Sequence, residues 1–254
     1  MPTSIKIKDT SITPNVSVDC VIFGFDFSEL KVLLIEREEG DFENAPEVPG
    51  MLALPGDHIT TIEDLDEGAA RVLKELTGLE KIFLEQFKAF GNPNRMNSES
   101  DKKWMKFIRA EPNVRVITVA YYSLVKLGQY EPQAASFARH ASWIPVSEIP
   151  VLAFDHNQIV NDALKSLRLK LRHEPVGFEL LPKKFTLSQL QRLYEIIIGT
   201  EFEKRNFRRK ILKNNLLIAL DEKQTGVPHK AARLYQFDRD RYEKAKEESY
   251  GFEI

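Results

Sequence analysis

Two spacings of apolar residues alternate along this chain, and each change of spacing marks a change of element. "VSVDCVIFGFD" and "LKVLLIERE" are dense in β-branched and aliphatic residues and predict two strands joined by a short polar turn. In "IEDLDEGAARVLKELTG" the apolar residues Leu65, Ala69, Val72, Leu73 and Leu76 recur at helical spacing, and Gly78 supplies a C-terminal stop. "KIFLEQFKAFG" and "RVITVAYYSLVKL" return to the strand pattern. After Asp155, a residue suited to capping, "HNQIVNDALKSLRLKL" predicts a further helix that ends before Pro175. Between the last two strands lies "NPNRMNSESDKKWMKFIRAEPN", polar and charged. It reads as a long loop or short helical insertion of the kind that often lines a site.

Beyond "HEPVGFELLPKK" the pattern is of another kind. "FTLSQLQRLYEIIIG" opens with Thr186 and has Gln189 three residues later, a capping box, and it stops at Gly199. Leu187, Leu190, Leu193, Tyr194 and Ile197 form its apolar stripe. A second short helix, "EFEKRNFRRKILKN", follows within a few residues. "LLIAL", a turn-rich "DEKQTGVPHK" and "ARLYQFD" then predict a hairpin with a long tip. Helix, tight turn, basic helix and hairpin come in the order of a winged helix-turn-helix. The expected organisation is a mixed α/β domain over residues 1–175 and a winged-helix domain over 176–254.

Composition changes this picture little. A chain of 254 residues with 43% hydrophobic and 29% charged residues is ordinary for a soluble globular protein. Cys20, the single cysteine, excludes an internal disulfide and a thiolate metal cage, and its apolar surroundings predict a small buried core residue. No apolar run reaches membrane-span length and "MPTSIKIKDTSITP" has no signal-peptide core, so the expected location is the cytoplasm, with no membrane partner. Charge is the informative quantity. From Leu181 onward 16 Lys and Arg stand against 11 Asp and Glu, whereas the preceding residues carry 20 against 27. An acidic body with a basic C-terminal unit points to two modules with different partners. Histidines 140, 156, 173 and 229 are scattered without ligand spacing. No nucleophile–base pair, P-loop or dinucleotide fingerprint is present, and no cofactor is expected.

One stretch carries recognisable chemistry. Gly56 to Leu79 resembles the Nudix box of Nudix hydrolases. With Gly78 as the anchor, Glu63, Arg71, Leu73, Glu75, Gly78 and Leu79 match; Asp57 stands where the first glycine belongs, beside Gly56. Val72 and Leu76 occupy two positions of the glutamate cluster. Active members hold Mg²⁺ there, a hard cation that takes oxygen ligands and not aliphatic side chains. Without the ion, both phosphate polarisation and water activation are lost. No catalytic and no metal-binding residue is therefore assigned. Glu67, Arg71 and Glu75, spaced i, i+4, are expected to form a salt-bridge ladder, and the resemblance implies that Glu63 also pairs with Arg71. The alternative is a hydrolase of a nucleoside diphosphate derivative such as ADP-ribose, with Asp57, Asp64 and Asp66 as replacement ligands.

In the second module Phe207 and Ile211 share one helical face, while Lys204 with Arg208, and Arg205 with Arg209 and Lys213, form basic rows. Such a rod suits the negative potential of duplex DNA, and arginine can fork onto guanine. Candidate DNA-binding residues are these five, Asn206, the four that flank or open the preceding helix (Lys183, Lys184, Ser188 and Gln191), and Lys223 and Lys230 at the hairpin tip. A solvated basic helix, with the winged helix serving protein contact, is the competing reading.

"GFELLPKKFTLSQLQRLYEIIIG", "EKRNFRRKILKN", "RVITVAYYSLV" and "RVLKELTGL" together closely resemble the Nudix-related transcriptional regulators, from about Val16 to Tyr242. The resemblance implies a Nudix-like α/β/α sandwich that senses a sugar or nucleotide-sugar (ADP-ribose-like or pentose), and a C-terminal winged helix on double-stranded DNA. It also implies a homodimer on a palindromic operator. Arg37, His58, Glu75, Phe90, Arg95 and Arg115 are expected to surround the effector, since they lie on the strands, box and loops around the cleft in related folds.

Overall fold

A computed structural model describes residues 15–37, 52–96, 101, 115–133, 138–228 and 230–247. Most of the polar insertion after Asn92 lies outside the described residues, as do His229 and the side chain of Arg37.

The N-terminal sheet is built on the two longest apolar runs. Strand β1 (Asn15–Phe25) and strand β6 (Val116–Lys126) pair in parallel along their whole length, from Asn15↔Val116 to Phe25↔Lys126. A parallel pair is covered on both faces, and that is why both segments read as near-continuous hydrophobic runs instead of alternating ones. On the other side of β1, its C-terminal end pairs with β2 (Leu30–Arg37) and its N-terminal half with β4 (Gly56–His58). Strand β3 (Leu52–Ala53) and strand β7 (Ala138–Pro145) both pair with β2, and β5 (Glu85–Phe90) pairs with β6.

Each sheet face is closed by one helix. Helix α1 (Leu65–Thr77) covers the face carrying Val18, Cys20, Ile22, Leu33 and Tyr121, and it buries Ala69, Val72, Leu73 and Leu76 against them. Its N-terminus is a capping box between Asp64 and Glu67, and Gly78 ends it in the left-handed conformation (φ 70°). Helix α2 (His156–His173) covers the other face, where Val21, Phe23, Phe25, Leu34 and Tyr122 meet Ile159, Ala163, Leu167 and Leu171. The result is the α/β/α sandwich anticipated for a Nudix-like domain.

Pro175 and a short 3-10 turn (Phe178–Leu180) lead into the winged helix. Helix α3 (Leu187–Ile198) has the anticipated capping box of Thr186 and Gln189 and ends at Gly199 (φ 75°). Helix α4 (Lys204–Lys213) follows, capped by Glu203, whose carboxylate accepts from the backbone N–H groups of Arg205 and Asn206. Strands β8 (Leu217–Lys223) and β9 (Arg233–Phe237) form the hairpin, widened by an irregularity between Ala219 and Lys223. Phe185 adds an antiparallel bridge to Tyr235. Phe207 lies between Tyr194 and Phe202, with ring centroids 5.9 and 5.6 Å away, and locks α4 onto α3. A last helix, α5 (Arg239–Glu247), closes the described chain. Neither β7 nor α5 was expected from the sequence pattern.

Candidate effector cleft and nucleic-acid interface

Strand β4 and the following loop approach β1 so closely that only glycine fits at position 56. A Cβ there would lie 1.9 Å from Asp19 Oδ1. This explains why the glycine stands one place before the expected start of the box and Asp57 takes the next. Arg71 then ties the loop to α1. Its Nε and Nη2 donate to Glu63 at 2.8 and 2.7 Å, its Nη2 also to the His58 carbonyl at 2.9 Å, and its Nη1 to Glu75 at 2.8 Å. Glu63 further accepts from the Thr60 N–H, and these bonds hold its carboxyl down at about 2. The Glu63–Arg71 brace is thus present. The ladder is only half formed: the Glu67 carboxylate accepts from the Asp64 N–H in the capping box, and Arg71 turns to Glu63 and Glu75.

Val72 and Leu76 settle what the box can bind. Their relative exposures are 0% and 1%, and both pack in the core between α1 and the sheet. Glu75, the remaining acid of the cluster, is engaged by Arg71. This donor set does not fit a divalent cation, because hydrocarbon stands at two ligand positions and the third carboxylate already has a cationic partner.

Sheet register brings part of the expected effector set together: Phe90 pairs with Thr118, Thr118 with Ser17 and Ser17 with His58, and Arg115 precedes β6 at the same end. His58 and Glu75 come together through Arg71. Arg115 is exposed and donates to the Gly91 carbonyl at 2.6 Å. Phe90 is buried on the α2 side, beneath Lys88, whose ammonium lies 4.9 Å from its ring. The Arg95 guanidinium is buried, forks onto Asp155 at 3.0 and 2.7 Å and reaches Asp19 at 3.5 Å. These ion pairs fasten the turn after β5 to the N-terminus of α2. Asp155 occupies the helix-cap position, but its carboxylate serves Arg95 and makes no capping bond. Sequence reading also missed His156, whose Nδ1 accepts the Leu54 N–H at 3.0 Å and whose Nε2 lies 3.5 Å from Asp19. No local signal announces a contact that spans 102 positions. Cys20 is the buried core thiol expected, and burial pushes its ionisation up.

In the winged helix, α4 buries Phe207 and Ile211 and leaves Lys204, Arg205, Asn206, Arg209 and Lys213 exposed. Arg208 is half-buried, and its buried Nε has no acceptor among the described residues. Arg209 donates to the Asn206 side-chain oxygen at 2.7 Å, so these two act as a unit. Lys183, Ser188, Lys223 and Lys230 are exposed. Lys184 forks onto Glu222 at 2.7 and 2.6 Å, joining the start of α3 to β8. Gln191 is engaged within the winged helix. Its amide donates to Glu195 and to the Phe202 carbonyl, both at 2.9 Å, and so staples the turn between α3 and α4.

A Nudix-like domain with hydrocarbon in its metal cluster, joined to a winged helix with a basic outer helix, defines a class: regulators whose sensor is built on an enzyme fold. Comparison with known proteins agrees. Residues 177–237 match the family described as the NrtR DNA-binding winged helix domain. The ADPR responsive transcriptional repressor NtrR of Acinetobacter baylyi is 31% identical over 229 residues, which cover 89% of this chain and 82% of that protein. The crystal structure of Shewanella oneidensis NrtR complexed with a 27mer DNA superposes with a TM-score of 0.66 at 28% identity, covering 93% of this chain and 97% of that one. An ADP-ribose pyrophosphatase of Methanocaldococcus jannaschii is 28% identical over 152 residues, 60% of this chain and 74% of that protein. The chain belongs to the NrtR family of Nudix-related transcriptional regulators.

Proposed function

We propose that the chain is a transcriptional repressor that holds operator DNA through α4 and the β8–β9 wing, and releases it when ADP-ribose occupies the Nudix-like cleft. The observation that carries this reading is the burial of Val72 and Leu76 in the same chain as an exposed basic helix: the sensor cleft is spared turnover and the second domain supplies an output. Two relatives support the effector and the partner, one by its ADPR response and one by its 27mer DNA. Arg37, His58, Glu75, Phe90, Arg95 and Arg115 are the proposed effector contacts. Lys183, Lys184, Ser188, Gln191, Lys204, Arg205, Asn206, Arg208, Arg209, Lys213, Lys223 and Lys230 are the proposed DNA contacts. The domain division falls between residues 175 and 176. The protein acts in the cytoplasm as a homodimer, which matches a two-fold protein to a palindromic site.

A fluorescence-anisotropy titration of full-length protein on the DNA upstream of its own operon tests this. Sequence-dependent binding that weakens at least tenfold with ADP-ribose supports the reading. Equal affinity for scrambled DNA, or steady metal-dependent release of AMP from ADP-ribose, overturns it.

A further inference from the structure

A second cavity lies on the sheet face opposite α1, away from the Nudix box. The C-terminal half of β6, the end of α2, the Pro175–Lys183 linker and the β9–α5 corner enclose a groove of about 900 Å³. That volume is within the range of small-molecule sites, and junctions between domains are where such sites occur. Its walls combine two chemistries. Tyr122 and Phe178 are buried aromatic floor, and Phe83 stands at the groove with 79% of its surface exposed. An aromatic ring left so open is apolar surface available to a ligand.

Charge decides the sign of that ligand. Two lining cations are neutralised, Lys170 by Glu85 and Arg239 by Glu179. Lys81, Lys126 and Lys183 also line the groove and have no salt bridge among the described residues, against one unpaired lining carboxylate, Glu243. Uncompensated positive charge in a groove that also exposes the Phe83 ring suits an anion with a flat apolar part.

We propose that this groove binds a second small molecule, an anion carrying a planar ring and about the size of a mononucleotide. Lys126 and Lys183 hold its charge, and its ring lies on the aromatic surface. Lys126 belongs to the sheet domain and Lys183 to the entry of α3. A ligand that touches both binds tighter to one relative placement of the domains, and by linkage it biases that placement. The regulatory consequence rests on the repressor reading; the binding does not.

The test is calorimetric titration of the full-length protein with AMP, in the presence of saturating ADP-ribose to occupy the Nudix-like cleft. Saturable one-to-one binding is expected. Adenosine, which lacks the charge, and ribose 5-phosphate, which lacks the ring, are each expected to bind at least tenfold more weakly. Lys126→Glu/Lys183→Glu loses at least tenfold in AMP affinity at an unchanged melting temperature, and Lys126→Arg retains it. Absence of saturable AMP binding at millimolar concentration, an affinity unmoved by the double charge reversal, or displacement of AMP by ADP-ribose overturns the proposal. If ADP-ribose itself gives no binding, the repressor reading fails by that result, while the double variant still reports on the groove.

Discussion

At the scale of the residue, the box shows how one helix can keep its fold while shedding its chemistry. Glu63, Arg71 and Gly78 stay because they brace a loop and end a helix. Val72 and Leu76 became ordinary core. We predict that Leu76→Ala costs about 2–5 kcal/mol in urea unfolding, the range for truncating a buried leucine; a cost under about 0.5 kcal/mol would show that the position is not core. The Glu63 brace adds a pH signature. Its folded carboxyl lies at about 2 against an ordinary value of 4.5, so its stabilisation is fully present above about 4.5 and is lost as pH falls toward 2. Glu63→Gln should therefore lower the melting temperature by a constant amount at neutral pH, and this deficit should shrink below pH about 4.5. A deficit that stays constant down to pH 2.5 would contradict the ion-pair account.

Among the elements, α2 links the two domains. Its N-terminus is held by His156 to the backbone of Leu54 and by Asp155 to Arg95. Three turns along, Arg168 Nε donates at 2.9 Å to the Ile197 carbonyl, at the negative end of α3. A Cβ at Gly199 would lie 2.8 Å from Arg168 Nη2, so glycine serves there both for its positive φ and for the space it leaves. We predict that Arg168→Ala separates sensing from output: ADP-ribose and DNA each bind within about threefold of wild type, but their mutual effect falls at least fivefold, within the usual scale of coupling energies. An unchanged ADP-ribose effect on DNA release would refute this role. The elements also show what the pattern of residues could convey. Both capping boxes of α3 and α1 rest on neighbours three positions apart, so α3's was legible in Thr186 and Gln189. Strand β7 was not, since "ARHASWIP" mixes Arg139, His140 and Ser142 with its apolar residues and lies against β2, where only the fold provides a partner. Helix α5 is polar almost all round and gives no stripe to read. Of the expected site, the residues assigned by local spacing on α4 lie outward except Arg208, which is half-buried. The internal surroundings of Phe90, Arg95 and Gln191 were not legible, because they come in part from distant or folded-back chain.

For the whole molecule, charge and symmetry can be tested together. Each lysine or arginine that neutralises a phosphate contributes about −0.9 to the slope of log affinity against log salt. If two winged helices engage one operator, every substitution is present twice. Lys213 is exposed at the end of α4, and its removal leaves Phe207 and Ile211, the residues that seat the helix, untouched. We predict that Lys213→Ala reduces the magnitude of the slope by about 1.8 on the full palindrome and by about 0.9 on an isolated half-site bound by one subunit. The ratio of the two decrements reports the number of engaged subunits without reference to absolute affinity, and sedimentation of the complex gives the stoichiometry independently. A decrement of about 0.9 on both DNAs means that one subunit carries the contact, which excludes the symmetric dimer. No decrement on either removes Lys213 from the interface while leaving the remaining α4 contacts standing.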